Sequence, residues 1–301
     1  MKERIPQKTL QVSSKKADAI LLSVAVIWGW GFIAGKIALE TASPQWILFF
    51  RFSIAAICIL ALFFKQIKNA DKACVRWGIL IGLLQFAALF VQLFALQYTT
   101  TAKQSFLAAT YVLFTPFAAR ILYRKKILPK NYIASLLALA GIAFLSLRGS
   151  AEIQIGDFIT LGFALLFSAQ IVIVGNLPEK CKTIPTPVSN LSGLLPQLYQ
   201  TLASAVFAGI AAFCTGIPNG LFSIHSWTGI VYLGVINTAV ALGLQNFAQK
   251  YTSESHAALL LSLESVFGLL FSILYYGDIL TLRMAIGCAL IFAALLVSNR
   301  R

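Results

Sequence analysis

Two charges, Arg51 and Glu264, lie deep inside apolar stretches of this chain. Arg51 stands seven residues after Pro44, and Glu264 stands eight residues after His256. At the helical rise of ~1.5 Å per residue, these positions are about 10 Å and about 12 Å in from the nearer ends of their segments. Centring a charge in an apolar helix costs roughly 2.5–3.5 kcal/mol on insertion scales, so both are functional candidates by default. Glu264 is the only one of the 10 acidic residues away from a segment end or loop. A carboxylate there can bind a cation or exchange a proton, and a guanidinium can hold an anion. Either could instead serve only to pair helices.

Neutral side chains extend the set. Gln85 and Gln92 are two helical turns apart, and Gln245 and Gln249 one turn apart, so each pair shares a face. Such amides act as interhelical glue worth about 0.6–2 kcal/mol, or they line a polar path. Trp28 and Phe32 lie in mid-segment, where an interfacial aromatic belt does not account for them. Tyr111 adds an aromatic wall with a hydroxyl. The candidate binding residues are therefore Trp28, Phe32, Arg51, Gln85, Gln92, Tyr111, Gln245 and Glu264, with Glu264 the candidate for proton coupling. Their chemistry is recognition and proton exchange rather than bond-making. The two histidines, His225 and His256, sit near segment ends, and the chain has no H-E-x-x-H and no paired-carboxylate spacing, which argues against an enzyme. The stretch GFIAGK has Trp30 and Ile37 where a phosphate loop needs Gly and Ser or Thr, so no nucleotide site is expected.

The elements that must carry these residues follow from composition. The 301 residues are 59% hydrophobic and 11% charged, with a mean hydropathy of +0.83, against roughly 45–50% apolar and 25% charged in soluble domains. The chain therefore reads as an all-α integral membrane protein. Ten segments of span length are predicted at 18–39, 44–64, 77–97, 104–123, 131–148, 156–177, 190–215, 226–249, 256–276 and 282–298. Residues 1–17 form a polar, basic tail that is expected to be cytoplasmic. The apolar run after it has no small-residue cleavage site and is read as the first span, not a signal peptide. With the N-terminus cytoplasmic, 19 of the 24 basic residues fall on the cytoplasmic side and three outside. That satisfies the positive-inside rule and puts both termini in the cytoplasm. The net charge of +14 is thus an orientation signal with some affinity for anionic lipid, not a nucleic-acid footprint. Lys36 lies near the outer end of its span, where it can snorkel and pair with Glu40 one turn on. Gly31 and Gly35 form a G-x-x-x-G helix-packing surface. The five cysteines are scattered, so neither a disulfide framework nor a metal site is expected.

The chain also repeats itself. FALQYTTTAKQSFL at 94–107 aligns with FAQKYTSESHAALL at 247–260, five identities at an offset of 153 residues. Five spans separate the copies, so the halves enter the membrane from opposite sides. This predicts two inverted five-helix repeats, 18–148 and 156–298, the architecture in which a central site alternates between faces. A channel or receptor-like polytopic membrane protein is the alternative. A receptor lacks inverted halves, and a channel shows a repeated selectivity sequence.

Four stretches resemble the drug/metabolite transporter superfamily, EamA-type, over essentially the whole chain. They are WGWGFIAGKIAL, FFRFSIAA, QSFLAATYVLFTPFAARILYRKK and the C-terminal LLSLESVFGLLFSILYYGDILTLRMAIGCALIFAALL. The last is similar to a family Leu-Glu-Pro segment with a later Gly-Glu. Here Glu264 takes the first Glu, Ser265 stands where Pro is usual, and Asp278 replaces the second Glu. The resemblance carries no expectation of a proline-made break at Ser265. It implies a secondary transporter, an exporter of small metabolites or amino acids, in a bacterial cytoplasmic (inner) membrane. No cofactor and no ATP hydrolysis are expected, and the expected partners are a small-molecule substrate and membrane lipids, with no nucleic acid. A monomer is the expected state. Arg51 and Glu264 differ in depth by about 6–10 Å in a core about 30 Å thick. That gap suits an amino-acid-sized solute held at both ends and is too long for a direct ion pair.

Overall fold

The computed structural model describes residues 14–63, 72–146, 154–178, 194–216, 223–276 and 282–299. The expectations for Lys65, Lys68, Arg148, Lys180, Lys182, Asp278 and both chain ends lie outside the described residues, so the charge count that orients the chain rests on the sequence alone. All regular elements among the described residues are helical. They are α1 (Ser14–Leu39), α2 (Pro44–Phe63), α3 (Lys72–Leu96), α4 (Thr101–Ala108), α5 (Tyr111–Tyr123), α6 (Pro129–Ser146), α7 (Ile155–Gly175), α8 (Leu194–Thr215) and α9 (Ile224–Tyr232). A π-helical segment, Leu233–Val240, leads into α10 (Ala241–Ala248) and a 3₁₀ turn, Gln249–Tyr251. Then come α11 (Glu254–Leu261), α12 (Glu264–Tyr276) and α13 (Leu282–Asn299).

Eight described segments are long and apolar enough to cross a membrane, with α4–α5, the run from α9 to the 3₁₀ turn, and α11–α12 each counting as one. The two remaining helices, α6 and α13, pack along each other. Large apolar side chains such as Ile121, Phe213 and Leu274 are 68–79% exposed on the outside, while glutamines and an Arg–Glu pair of charges are buried within. That is the reverse of a water-soluble core, and it fits a multi-pass protein solvated by lipid.

Packing contacts come in pairs. α1 packs on α12 as α7 packs on α5, and α1 packs on α11 as α7 packs on α4. α4 lies against α12 as α11 lies against α5. α4 and α11 both have 8 residues, α5 and α12 both have 13, and their boundaries fall at the same offset as the sequence repeat.

The breaks between these short and long helices are made without proline at the break itself. Around Ser262 the ladder tightens to i→i−3 bonds, Leu263 N to Leu260 O and Ser265 N to Ser262 O. Hydroxyls then take up carbonyls that the α-ladder gives up, with Ser262 Oγ donating to Leu259 O and Ser265 Oγ to Ser262 O. The first half does the same at Thr110, whose N and Oγ1 both reach Leu107 O. Pro116 inside α5 cannot donate to Val112 O, and Ser135 Oγ of α6 donates to that carbonyl at 3.3 Å instead.

Three sequence expectations are corrected. Glu40 pairs with His225 at 3.1 Å, not with Lys36, whose Nζ caps the Leu96 carbonyl at the end of α3. A helix end with orphan carbonyls next to Lys36 offers it a fixed partner that Glu40, more than half exposed, does not. Cys74 is disulfide-bonded, whereas Cys58 and Cys214 are free. The Gly31–Gly35 pair does not form one close crossing. Gly35 has only leucine methyls at ordinary distance, Gly31 faces the Asn237 amide, and of the three glycines in α1 it is Gly29 that approaches a neighbouring backbone. A Cβ on Gly29 would stand 2.8 Å from the backbone N of Gly268 and 2.9 Å from the carbonyl carbon of Phe267, which cannot yield as a side chain would. Gly29→Ala is therefore expected to lower stability by about 1–3 kcal/mol, seen as a lower melting temperature in detergent, with Gly35→Ala unchanged as the comparison.

Candidate functional site

A central cavity lies between α1, α2, α3, α7, the π-helical segment and the break before α12. Trp28, Phe32, Arg51, Gln85, Gln92 and Glu264 line it. The sequence reading did not select Gln104, Phe163, Phe167 and Asn237, which also line it. Tyr111 stands just behind this wall, fully buried, with its ring 5.0 Å from that of Phe167. Gln245 is fully buried away from the lining, and neither its amide nor that of Gln249 has a hydrogen-bond partner among the described residues.

Arg51 is held by the second half of the chain. Its Nε donates to Thr238 Oγ1 at 2.6 Å and its Nη2 to Asn237 Oδ1 at 2.7 Å. Both acceptors come from the π-helical segment. The wider π turn lets Thr238 Oγ1 reach back to Leu233 O while still accepting from Arg51. The Asn237 carbonyl accepts from Trp28 Nε1 at 3.2 Å, and its amide donates to Ile27 O. Gly234 makes room for this, since a Cβ there would meet the Arg51 carbonyl and Ile54. Every partner of the guanidinium is neutral, and no ion pair joins Arg51 to Glu264 among the described residues.

Glu264 opens α12 directly after the break. It is 4% exposed, and its carboxyl interacts with the nearby Tyr111 hydroxyl, although by distance and angle neither Glu264 Oε1 nor Tyr111 Oη completes a hydrogen bond among the described residues. Gln104 donates through Nε2 to Gln92 O at 2.6 Å, and its own Oε1 has no hydrogen-bond partner among the described residues. Buried acceptors left unsatisfied beside a cavity cost free energy in an apolar setting unless a ligand or water donates to them. Gln85 closes another part of the wall, with its Oε1 accepting from Gln170 Nε2 and Gln200 Nε2. Asn246 in turn donates to Gln200, so one amide network ties α3, α7, α8 and α10.

The aromatic side is built by Trp28, Phe163 and Phe167. The Trp28 ring meets Phe167 edge-on at 5.5 Å, and Phe163 stacks on Phe167 at 5.2 Å. The cavity thus offers one guanidinium, one carboxylate, several amides and an apolar wall, the mixture found in small-molecule sites. Among the described residues no cluster of His, Cys, Asp and Glu could hold a metal ion.

Comparison with known proteins points the same way. The EamA-like transporter family matches residues 15–147 and again 154–300. An "Uncharacterized transporter" of Archaeoglobus fulgidus is 32% identical, covering 95% of this chain and 86% of that protein. A "Probable amino-acid metabolite efflux pump" of Escherichia coli strain K12 is 25% identical, covering 95% of each. A solved crystal structure at 18% identity superposes with a TM-score of 0.73 over 95% of this chain and 96% of that one, which speaks to the fold. These names denote transporters, not enzymes.

Proposed function

Because the chain belongs to the EamA-like transporter family, we propose that it is a secondary transporter that exports small metabolites or amino acids by alternating access, without ATP hydrolysis. The observation that carries this reading is the central cavity, where Arg51 and Glu264, both buried and neither neutralised by the other, face one space beside an aromatic wall. A zwitterionic or amphipathic solute of amino-acid size would place its anionic end at Arg51 and its cationic end at Glu264. Its apolar part would lie against Trp28 and Phe32, and Gln92 and Gln104 would complete the polar contacts. Tyr111 and Glu264 would share the proton-exchanging end. Gln245, away from the cavity, would act on a solute only along its path to or from the site.

The fold proposed with it has ten spans in two inverted five-helix repeats, with α6 and α13 as spans five and ten. The paired packing and the common offset support this count. The excess of basic residues in alternate loops supports a cytoplasmic-membrane protein with both termini in the cytoplasm. One chain supplies both repeats, so a monomer suffices for the site.

The test is counterflow in proteoliposomes preloaded with pools of amino acids and other small metabolites. Labelled substrate is expected to enter transiently against its gradient, to saturate, and to need no nucleotide. Flux that does not saturate would indicate a pore, and strict dependence on ATP would end the reading.

A further inference from the structure

Polar contacts join the two halves at opposite ends of α1 and α7, two of the helices that line the cavity. At one end His256 Nε2 lies 3.1 Å from Asp18 Oδ1. At the other, Lys103 Nζ lies 3.7 Å from Asp157 Oδ2, and Thr99 Oγ1 donates to Asp157 Oδ1 at 2.7 Å. The ends are opposite because α1 begins at His256 with Asp18 and finishes at the start of α9 with Glu40 on His225. α7 runs the other way, beginning at Lys103 and finishing with Asn176 on Glu254, the first residue of α11.

The two pairs are copies of each other. Lys103 and His256 are each the third residue of an eight-residue helix, α4 and α11, and lie 153 residues apart. Each helix is capped alike, by Thr100 accepting from Lys103 N and Ser253 accepting from His256 N. Asp18 and Asp157 each sit near the start of the first long helix of its half, in the short motifs KADAI and IGDFI. All four side chains are between 11% and 23% exposed, enough for water to compete once an arm loosens.

Each short helix is joined to its longer partner by the 3₁₀-tightened break at Ala109–Thr110 or Ser262–Leu263. A mid-helix 3₁₀ stretch is a recurrent hinge. The residue that follows each break is Tyr111 or Glu264, the pair at the proton-exchanging end of the site. Gln104, which lines the cavity, is next to Lys103 in α4.

We propose that α4 and α11 are the two gates of the transporter, with Lys103–Asp157 latching the outer arm and Asp18–His256 the inner arm, and that transport requires the latches to open in turn. The inner arm has a second tie, Lys125 to Glu254. This proposal rests on the alternating-access reading above, and adds which groups must part on each face.

Access to the cavity tests it, read separately from transport. In Leu93→Cys protein in sealed vesicles, alkylation by a membrane-impermeant maleimide is followed at residue 93 by mass spectrometry, so that the thiols Cys58 and Cys214 do not contribute. Lys103→Gln and Asp157→Asn are expected to raise labelling from outside by on the order of five-fold, and Asp18→Asn to raise labelling from inside by as much while lowering it from outside. Lys103→Gln is the safer outer variant, because Asp157 also accepts from Gln154 N and helps to cap α7. Labelling unchanged from both sides, or raised alike from both, would overturn the gates. If the gates respond as expected but counterflow is absent, the transport reading fails while the latches stand.

Discussion

Replacing Glu264 with Gln is expected to abolish proton-driven accumulation while sparing exchange of substrate across the membrane. The amide keeps the shape and polarity of the side chain, and so its place behind the Ser262–Leu263 break, but it cannot take up and release a proton. If one proton moves per cycle, each pH unit is worth a tenfold concentration ratio, about 1.36 kcal/mol. In Glu264→Gln vesicles, the ratio reached under an imposed pH gradient should fall to about one, while labelled substrate still exchanges with unlabelled. Glu264 is proposed as the carrier because it lines the cavity next to the Tyr111 hydroxyl, where a proton and the cationic end of a substrate would compete for the same carboxyl oxygens. Tyr111→Phe should have the milder effect of altering the pH at which accumulation is half-maximal. Wild-type accumulation in both variants would make them packing residues.

Position along each helix was legible in the sequence, and direction around each helix was not. Apolar run lengths and breaks locate the spans, and counting from Pro44 and His256 puts Arg51 and Glu264 well inside. Gln85 and Gln92 share a helical face by spacing, and both line the cavity. Gln245 is the counterpart of Gln92 at the repeat offset, yet it points elsewhere, because the rotation of each helix is set by its neighbours and not by its own spacing. Phe163 and Phe167 could have been found from Thr160 and Gln170, polar residues at helical spacing on the same buried face of α7. The π-helical segment that holds Arg51 left only a weak trace, the polar pair Asn237–Thr238 preceded by Gly234. The breaks before Tyr111 and Glu264 could have been found from Thr110, Ser262 and Ser265, hydroxyls able to satisfy carbonyls that the tightened ladder gives up. The resemblance directed attention to a missing proline instead. The paired acids at 18 and 157 were visible as KADAI and IGDFI, but their partners arise from helices more than fifty residues away.

Arg51→Gln is expected to raise the half-saturating concentration of any substrate that carries a carboxylate by roughly 10- to 100-fold, matching the 1.5–3 kcal/mol of a hydrogen bond to a charged group. The maximal rate should change far less, because in the proposed site the residue would bind the anionic end and take no part in proton exchange. Its own anchoring makes this a demanding site. Thr238 Oγ1 and Asn237 Oδ1 hold the Nε and Nη2 of the guanidinium, so the planar group is oriented before substrate arrives. Arg51→Lys keeps the charge but cannot span both acceptors, and it should recover only part of the affinity. Asn237→Ala should weaken binding through Arg51, since it removes one acceptor and leaves the cation to find another in a space that is only 4% exposed. The decisive comparison uses an amine that lacks the carboxylate. If Arg51 recognises the anionic end, this analogue binds Arg51→Gln as well as it binds the wild type, and the loss is confined to the zwitterion. Equal loss for both solutes would mean that Arg51 braces α2 against the π-helical segment, and that the anionic end is met by the amides of Gln92 and Gln104.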